Sequence, residues 1–214
     1  MNAQVLVIAK EPVPGRCKTR LCPPCSEEEA AAVARAALFE TLAVIAEVPA
    51  ERRILVLDGR PGDWVPEGFD VVAQRGFGLD ERLAAAFADC GTPSLLIGMD
   101  TPQITRGLLE LGMRTMMTDA VDAVLGPTPD GGYWAIGFRH ECPGAFEGVA
   151  MSTRTTAVAQ RRRLEELGIR YEMLGPLRDI DYWPDALAVA RSIPGSRLAH
   201  VVARIEDALD RASA

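Results

Sequence analysis

The chain has 214 residues, of which 48% are hydrophobic and 25% charged, and its formal net charge at pH 7 is −7. This composition is typical of a folded globular domain, so we expect one domain over residues 1–214, with a helical extension from about residue 193. The negative charge argues against nucleic acid as a partner, because general nucleic-acid binding needs a basic face. No apolar run approaches the length of a membrane span and the start lacks the charged lead of a signal peptide, which predicts a cytoplasmic protein with no membrane partner.

Short aliphatic runs alternate with helical patterns along the chain. This alternation predicts an α/β fold, a three-layer α/β/α sandwich around a mostly parallel sheet. The last predicted helix is amphipathic, so it is either a packing element or the face of a homodimer. The predicted strands are residues 5–9, 53–58, 69–73, 95–98, 120–125, 134–138 and 170–174, and the predicted helices are residues 26–47, 81–89, 104–117, 153–167 and 196–212.

The central strand runs into a single carboxylate. Residues 95–102 read Leu-Leu-Ile-Gly-Met-Asp-Thr-Pro, which places Asp100 at the carboxyl end of a buried strand. Ligands of open α/β sheets bind at that edge, and a carboxylate there is a natural ligand for Mg²⁺ or Mn²⁺. Aspartate is also a favoured helix N-cap, so Asp100 could instead begin the next helix. Both interpretations remain open from this stretch alone.

A basic loop follows the first strand. Two prolines keep residues 10–20 out of regular structure, and the loop concentrates four cations in an otherwise acidic chain. Cations at this edge of the sheet favour an anion site, most plausibly for phosphates, over a merely solvated loop. The loop is not a P-loop, because the Walker pattern requires glycine directly before its lysine. The four cations are Lys10, Arg16, Lys18 and Arg20.

Two glycine-containing loops lie at other strand ends. In residues 74–80, Gly76 and Gly78 permit close approach of a flat ring or a ribose. Residues 126–133 read Gly-Pro-Thr-Pro-Asp-Gly-Gly-Tyr, and Asp-Gly is a common hairpin turn. The alternative is that this loop forms a second polar wall of the site, with Asp130 facing the substrate.

Two carboxylates, Asp179 and Asp181, follow the last predicted strand. We expect an extended conformation to point them in opposite directions, so that only one faces the site.

The five cysteines have an odd count and no secretory context, so we expect reduced side chains rather than disulfides. The spacing of Cys22 and Cys25, with Cys17 nearby, is a weaker indication of zinc or redox chemistry.

Four stretches in this order resemble a known family. Residues 9–21, 98–102, 126–133 and 179–185 are similar to the DUF2064 family of arsenosugar-biosynthesis-type glycosyltransferases. That family is placed in the nucleotide-diphospho-sugar transferase superfamily, which has the GT-A fold. The superfamily also includes molybdenum-cofactor guanylyltransferases, cytidylyltransferases, and guanylyltransferases that act on phospholactate or phosphoenolpyruvate.

The resemblance implies a nucleotide held by the first strand and its loop, and a divalent cation held by Asp100 and Asp181. The chain departs from the family pattern at Met99, Met151 and Tyr182, which bear on the acceptor pocket. Catalytic roles are expected for Asp100, Asp130 and Lys18. The nucleotide-binding candidates are Ala9, Lys10, Gly15, Arg16, Lys18 and Gly78, and the substrate-binding candidates are Asp130, Gly131, Gly132 and Tyr133.

These features together favour a transferase that uses a nucleotide and a small-molecule acceptor. The leading hypothesis is metal-dependent glycosyl transfer from a nucleotide-sugar, in which Mg²⁺ or Mn²⁺, Lys18 and Arg16 stabilise the charge on the leaving phosphates. The first alternative is nucleotidyl transfer from a nucleoside triphosphate to a phosphorylated acceptor. The second is a nucleotide-binding protein without catalytic activity.

Overall fold

The structure is a computed structural model that describes residues 3–213. Its strands are β1 (Gln4–Lys10), β2 (Arg53–Asp58), β3 (Asp70–Ala73), β4 (Ser94–Gly98), β5 (Ala123–Pro127), β6 (Tyr133–Phe138) and β7 (Tyr171–Met173). Its helices are α1 (Glu27–Ala46), α2 (Leu79–Cys90), α3 (Arg106–Met116), α4 (Thr156–Glu166), α5 (Trp183–Ser192) and α6 (Arg197–Ser213), and a 3-10 helix covers Thr19–Leu21.

The strands of the described region form a single seven-stranded sheet in the order β3-β2-β1-β4-β6-β5-β7. Only β6 runs antiparallel to its neighbours, because a tight hairpin returns the chain from β5. The other pairs are parallel. The predicted α/β fold with a mostly parallel sheet is therefore confirmed.

Helices cover both faces of the sheet. On one face, α1 and α3 pack against aliphatic side chains of β1 and β4, such as Val7 and Ile97. On the other face, α2 and α4 pack against Leu6, Leu96 and their neighbours. Strands β1 and β4 are buried on both faces, which is why their sequences are continuous aliphatic runs rather than alternating ones.

Helix α5 was not predicted from the sequence, so the absence of a predicted helix over residues 183–192 is wrong. The segment begins Trp-Pro-Asp, and proline breaks a helix when it lies in the interior. Proline is however well accommodated in the first turn of a helix, where its missing N–H group would have no partner. The Asp185 carboxylate accepts a hydrogen bond from the Tyr182 N–H (3.0 Å) and so stabilises the start of the helix.

The first and last long helices pack against each other. Helix α1 begins with a capping box, in which Ser26 and Glu29 exchange hydrogen bonds. The apolar face of α6, including Leu198, Val202 and Ile205, contacts side chains of α1 and α5. That face is therefore used within the chain. Among the described residues, no helix combines the length and apolar character needed to cross a membrane.

Candidate active site

A cavity of about 1130 Å³ opens at the carboxyl edge of the sheet. The ends of β1 and β4, the β5–β6 hairpin and the segment before α5 line this cavity. Carboxyl ends of parallel strands meet at one edge, so loops that are distant in sequence come together there. The edge that was predicted to bind a ligand is thus the edge with the cavity.

Asp100 lies in this cavity directly after β4. Its Oδ2 atom is 2.8 Å from the Lys18 ammonium. Its Oδ1 atom is buried and has no hydrogen-bond partner among the residues that the structure describes. Helix α3 is capped instead by Thr105, whose Oγ1 accepts a hydrogen bond from the Leu108 N–H (3.2 Å). The interpretation of Asp100 as a helix cap is therefore wrong.

Lys18 occupies the middle of the acidic groups. Its Nζ atom lies 2.8 Å from Asp100 Oδ2 and 3.3 Å from Asp181 Oδ1, and its side chain is only 10% exposed. Burial of the ammonium lowers its pKa, but the nearby carboxylates outweigh burial and leave the pKa of Lys18 above its ordinary value. The lysine therefore carries its charge and joins the loop after β1 to the segment before α5.

Three carboxylates cluster in the same cavity, and one of them, Asp181, is the second partner of Lys18. Oxygens of Asp130, Asp179 and Asp181 lie within 4.8 Å of one another. Burial, reinforced by the charges of Asp130 and Asp181, raises the pKa of Asp179 to about 6. Such a cluster of oxygen ligands suits a hard divalent cation.

The expectation that only one of Asp179 and Asp181 faces the site is wrong. Residues two apart in an extended chain point to the same side, and the residue between them points to the other. Ile180 is fully buried among the residues that pack α1, α5 and α6, and its N–H donates to the Asp100 carbonyl (3.0 Å). Both carboxylates therefore face the cavity.

The loop between β5 and β6 is both a hairpin and a wall of the cavity. The Thr128 hydroxyl and the Gly132 N–H donate to Asp130 Oδ1, the latter at 3.0 Å, which fixes the Asp130 side chain. Gly131 has a φ of +97° and abuts the Arg154 backbone, so it does not line the cavity. Gly132 and Tyr133 do line it, and their role in substrate binding stays a prediction.

Tyr133, the first residue of β6, is held in place by a hydrogen bond. Its hydroxyl donates to Gln160 Oε1 (3.3 Å), and burial raises the pKa of Tyr133 above its ordinary value. The hydroxyl is therefore protonated at physiological pH, and Tyr133 lines the cavity as a neutral side chain.

Four of the six nucleotide-binding candidates line the cavity, and the two glycines do not. Gly15 has a φ of +73° and faces Glu27, whose Oε2 would lie 2.9 Å from a Cβ atom there. Gly78 is the N-cap of α2 and lies against Asp80. Both glycines therefore serve the turn of their own loop. The candidates that do line the cavity are Ala9, Lys10, Arg16 and Lys18.

Sequence reasoning missed a polar group beside the end of β1. Gln74 Nε2 donates to the Ala9 carbonyl (2.7 Å), and Arg82 Nη1 donates to Gln74 Oε1 (3.1 Å) and Asp58 Oδ2 (2.8 Å). The hydrogen bond from Arg82 holds the pKa of Asp58 below its ordinary value. Arg82 gave no signal in the sequence, because an arginine in the first turns of a helix is ordinary. Phe77, Met151, Arg154 and Tyr182 also line the cavity.

The family described as "Uncharacterized protein conserved in bacteria (DUF2064)" matches residues 31–153, more than half of the chain. The chain belongs to this family. The resemblance seen in the sequence is thereby confirmed at the level of the family, with the Asp100 and Asp130 motifs inside the matched range. No functionally curated protein matches this DUF2064 chain.

Solved structures share the fold over nearly the whole chain. A candidate nucleotide-diphospho-sugar transferase from Desulfovibrio desulfuricans G20 is 26% identical, with a TM-score of 0.86 and coverage of 99% of this chain and 98% of that one.

Two further structures are similar in fold alone. CMP:2-keto-3-deoxy-manno-octonic acid synthetase complexed with CTP is 12% identical, with a TM-score of 0.56 and coverage of 90% of this chain and 98% of that one. The 2-C-methyl-D-erythritol 4-phosphate cytidylyltransferase of Thermus thermophilus is 16% identical, with a TM-score of 0.51 and coverage of 95% and 98%. The Desulfovibrio desulfuricans structure is named as a transferase, in agreement with the predicted class of enzyme.

Proposed function

We propose that this DUF2064 protein transfers a sugar from a nucleotide-sugar to a small-molecule acceptor. The observation that carries the proposal is the charge pattern of one cavity. Lys10, Arg16 and Lys18 line it beside the end of β1, and the cluster of Asp130, Asp179 and Asp181 lines the same cavity, with Asp181 in contact with Lys18. Phosphates require the first group, and a divalent cation bound to those phosphates requires the second.

The acidic residues fit a divalent cation. Asp100 Oδ1 is buried and lacks a hydrogen-bond partner within the described residues, as an oxygen reserved for a ligand would. Asp100 and Asp181 would hold Mg²⁺ or Mn²⁺, with Asp130 and Asp179 close by. When bound, such a cation would neutralise part of the charge that develops on the leaving phosphates.

The side chains of the loop after β1 complete the electrostatic role. Lys18 is fixed by two carboxylates. Arg16 is held more loosely, because its guanidinium is 3.9 Å from the Asp58 carboxylate and 62% of its side chain is exposed. A fixed cation costs little reorganisation when charge develops, and an exposed one can close over an incoming phosphate. The reaction then needs positioning and charge stabilisation, with Asp130 contacting the sugar or the acceptor.

The test is product analysis with a panel of nucleotide-sugars, each with Mg²⁺ or Mn²⁺. We expect one donor to release a nucleoside diphosphate, and Asp130→Asn to reduce this turnover while donor binding is retained. Asp63→Asn is a control, because Asp63 is exposed and outside the cavity. Tight metal-dependent binding of intact nucleoside triphosphates, with no binding of any nucleotide-sugar, would contradict glycosyl transfer.

Nucleotidyl transfer is the second candidate. It is favoured by a fourth cation, Arg20, whose Nη1 lies 2.8 Å from Asp181 Oδ2 at the edge of the same cavity. A triphosphate carries more charge than a nucleoside diphosphate and would use this additional cation. In this reaction the phosphorylated acceptor attacks the α-phosphate and pyrophosphate leaves. Pyrophosphate release that requires a phosphorylated acceptor would identify it.

A further inference from the structure

Phe77 stands out among the apolar side chains of the described region. It is 99% exposed, whereas the next most exposed large apolar residue, Val158, is 64% exposed. Single exposed apolar residues are common on protein surfaces and need no explanation by themselves. Phe77 differs from Val158 because it also lines the cavity that holds the proposed phosphate and metal groups.

The exposure of Phe77 is built into its loop. Gly76 has a φ of +114°, and a Cβ atom there would lie 2.6 Å from the Glu81 Cβ, so the backbone is packed onto the first turn of α2. The Phe77 N–H donates to Glu81 Oε2 (2.9 Å), and Arg82 Nε donates to the Gly76 carbonyl (3.3 Å). Both bonds hold the peptide group that joins Gly76 to Phe77, while the Phe77 ring projects into solvent.

The same loop is attached to the phosphate side of the cavity. Gln74 donates to the carbonyl of Ala9, the residue before Lys10. The lining of the cavity also includes the aliphatic side chains of Ile8, Leu79 and Leu83. The cavity therefore holds an exposed aromatic ring and aliphatic side chains as well as the cations that we assign to phosphates.

We propose that Phe77 stacks on the base of the bound nucleotide, an inference that rests on the proposed function. Every nucleobase has a π face, so an aromatic ring can hold any of them without hydrogen bonds. The other exposed aromatic residue of the cavity, Tyr182, is less suited. Its ring is faced by the Arg20 guanidinium at 6.0 Å, and it directly follows Asp181 on the acidic side.

The test separates the base from the phosphates. Titration calorimetry with Mg²⁺ present would compare nucleoside di- and triphosphates with pyrophosphate and tripolyphosphate, which lack a base. We expect Phe77→Ala to weaken nucleotide binding about tenfold, the loss of one stacked base, and to leave pyrophosphate and tripolyphosphate binding unchanged. Val158→Ala is the matched control, because it removes an exposed apolar side chain outside the cavity.

A tryptophan at the same position gives an independent measurement. We expect Phe77→Trp to retain nucleotide affinity, and its fluorescence to change with a nucleotide more than with tripolyphosphate, in excess of any change in the wild-type protein. Equal affinity of Phe77→Ala and wild type for nucleotides would overturn the stacking role and leave the proposed function intact. Equal losses for nucleotides and tripolyphosphate would also overturn it. Wild-type protein that binds no nucleotide would overturn the proposed function as well.

Discussion

At the scale of single residues, Asp100 is the carboxylate on which the proposed metal site depends. We expect Asp100→Asn to abolish metal-dependent nucleotide binding and to leave the fold intact, because a neutral amide attracts Mg²⁺ or Mn²⁺ less than a carboxylate does and Lys18 retains Asp181 as a partner. Calorimetric titration of a nucleotide with and without Mn²⁺ measures the effect. Asp119→Asn is the control, since Asp119 pairs with Arg139 and its side chain is 96% exposed.

Two outcomes would contradict this assignment of Asp100. One is normal metal-dependent binding by Asp100→Asn, and the other is loss of the native circular-dichroism spectrum in that variant. The first would move the metal to the cluster of Asp130, Asp179 and Asp181 alone. The second would make the pair of Asp100 and Lys18 a structural element, since loss of one partner leaves a buried lysine with less compensation.

At the scale of elements, the β5–β6 hairpin requires glycine at position 131, because a side chain there has no room. An alanine Cβ at Gly131 would overlap the Arg154 carbonyl, and φ there is +97°. Left-handed backbone strain alone costs about 1 kcal/mol, and we expect Gly131→Ala to destabilise the protein by more than this. Gly148→Ala isolates the strain, because φ there is +73° and nothing lies within 4 Å of a Cβ atom.

Urea unfolding of both glycine variants measures the difference. A larger loss of stability in Gly131→Ala, with reduced turnover because Asp130 is displaced, is the expected result. Equal losses in the two variants would mean that the Arg154 loop moves freely away from the hairpin.

The ion pair between β2 and α2 gives a pH-dependent prediction. The Arg82 hydrogen bond lowers the pKa of Asp58 in the folded state, so this pair stabilises the protein above the ordinary value of 3.8 and loses its effect as the pH falls through and below that value. We expect Asp58→Asn to have a lower melting temperature than wild type at pH 7, and the difference to shrink below about pH 4. Melting curves at several pH values measure it.

The control for this prediction is Asp63→Asn, which makes the same change of charge at an exposed aspartate that is in no ion pair among the described residues. A difference between Asp58→Asn and wild type that stays constant down to pH 3 would contradict the assignment of the stabilising charge to Asp58.

The sequence predicts the elements better than it predicts how they meet. Asp100 and Lys18 were found because each follows a buried strand at the edge where ligands bind. The pairing of Lys18 with Asp181 could not be read from the chain, because it joins residues that only the packing of the segment before α5 brings together. The orientation of Asp179 was predicted wrongly, because residues two apart in an extended chain point to the same side and not to opposite sides.

At the scale of the whole molecule, the fold follows from hydrophobic pattern. Aliphatic strands buried on both faces require helices above and below them, and this arrangement brings the loops after β1 and β4 to one edge. Helix α5 escaped prediction because its first turn contains a proline. The cavity is thus a consequence of the topology, and its charges are set by loops whose mutual positions the sequence does not encode locally.

The proposed function requires a nucleotide and a divalent cation to bind together in this cavity. The most direct measurement is a thermal-shift panel of nucleoside triphosphates and nucleotide-sugars, each with and without Mn²⁺, because a specific ligand of the folded state raises the melting temperature by mass action. We expect a rise with at least one nucleotide-sugar that is larger when Mn²⁺ is present. No rise with any nucleotide, in the presence or absence of the metal, would contradict it.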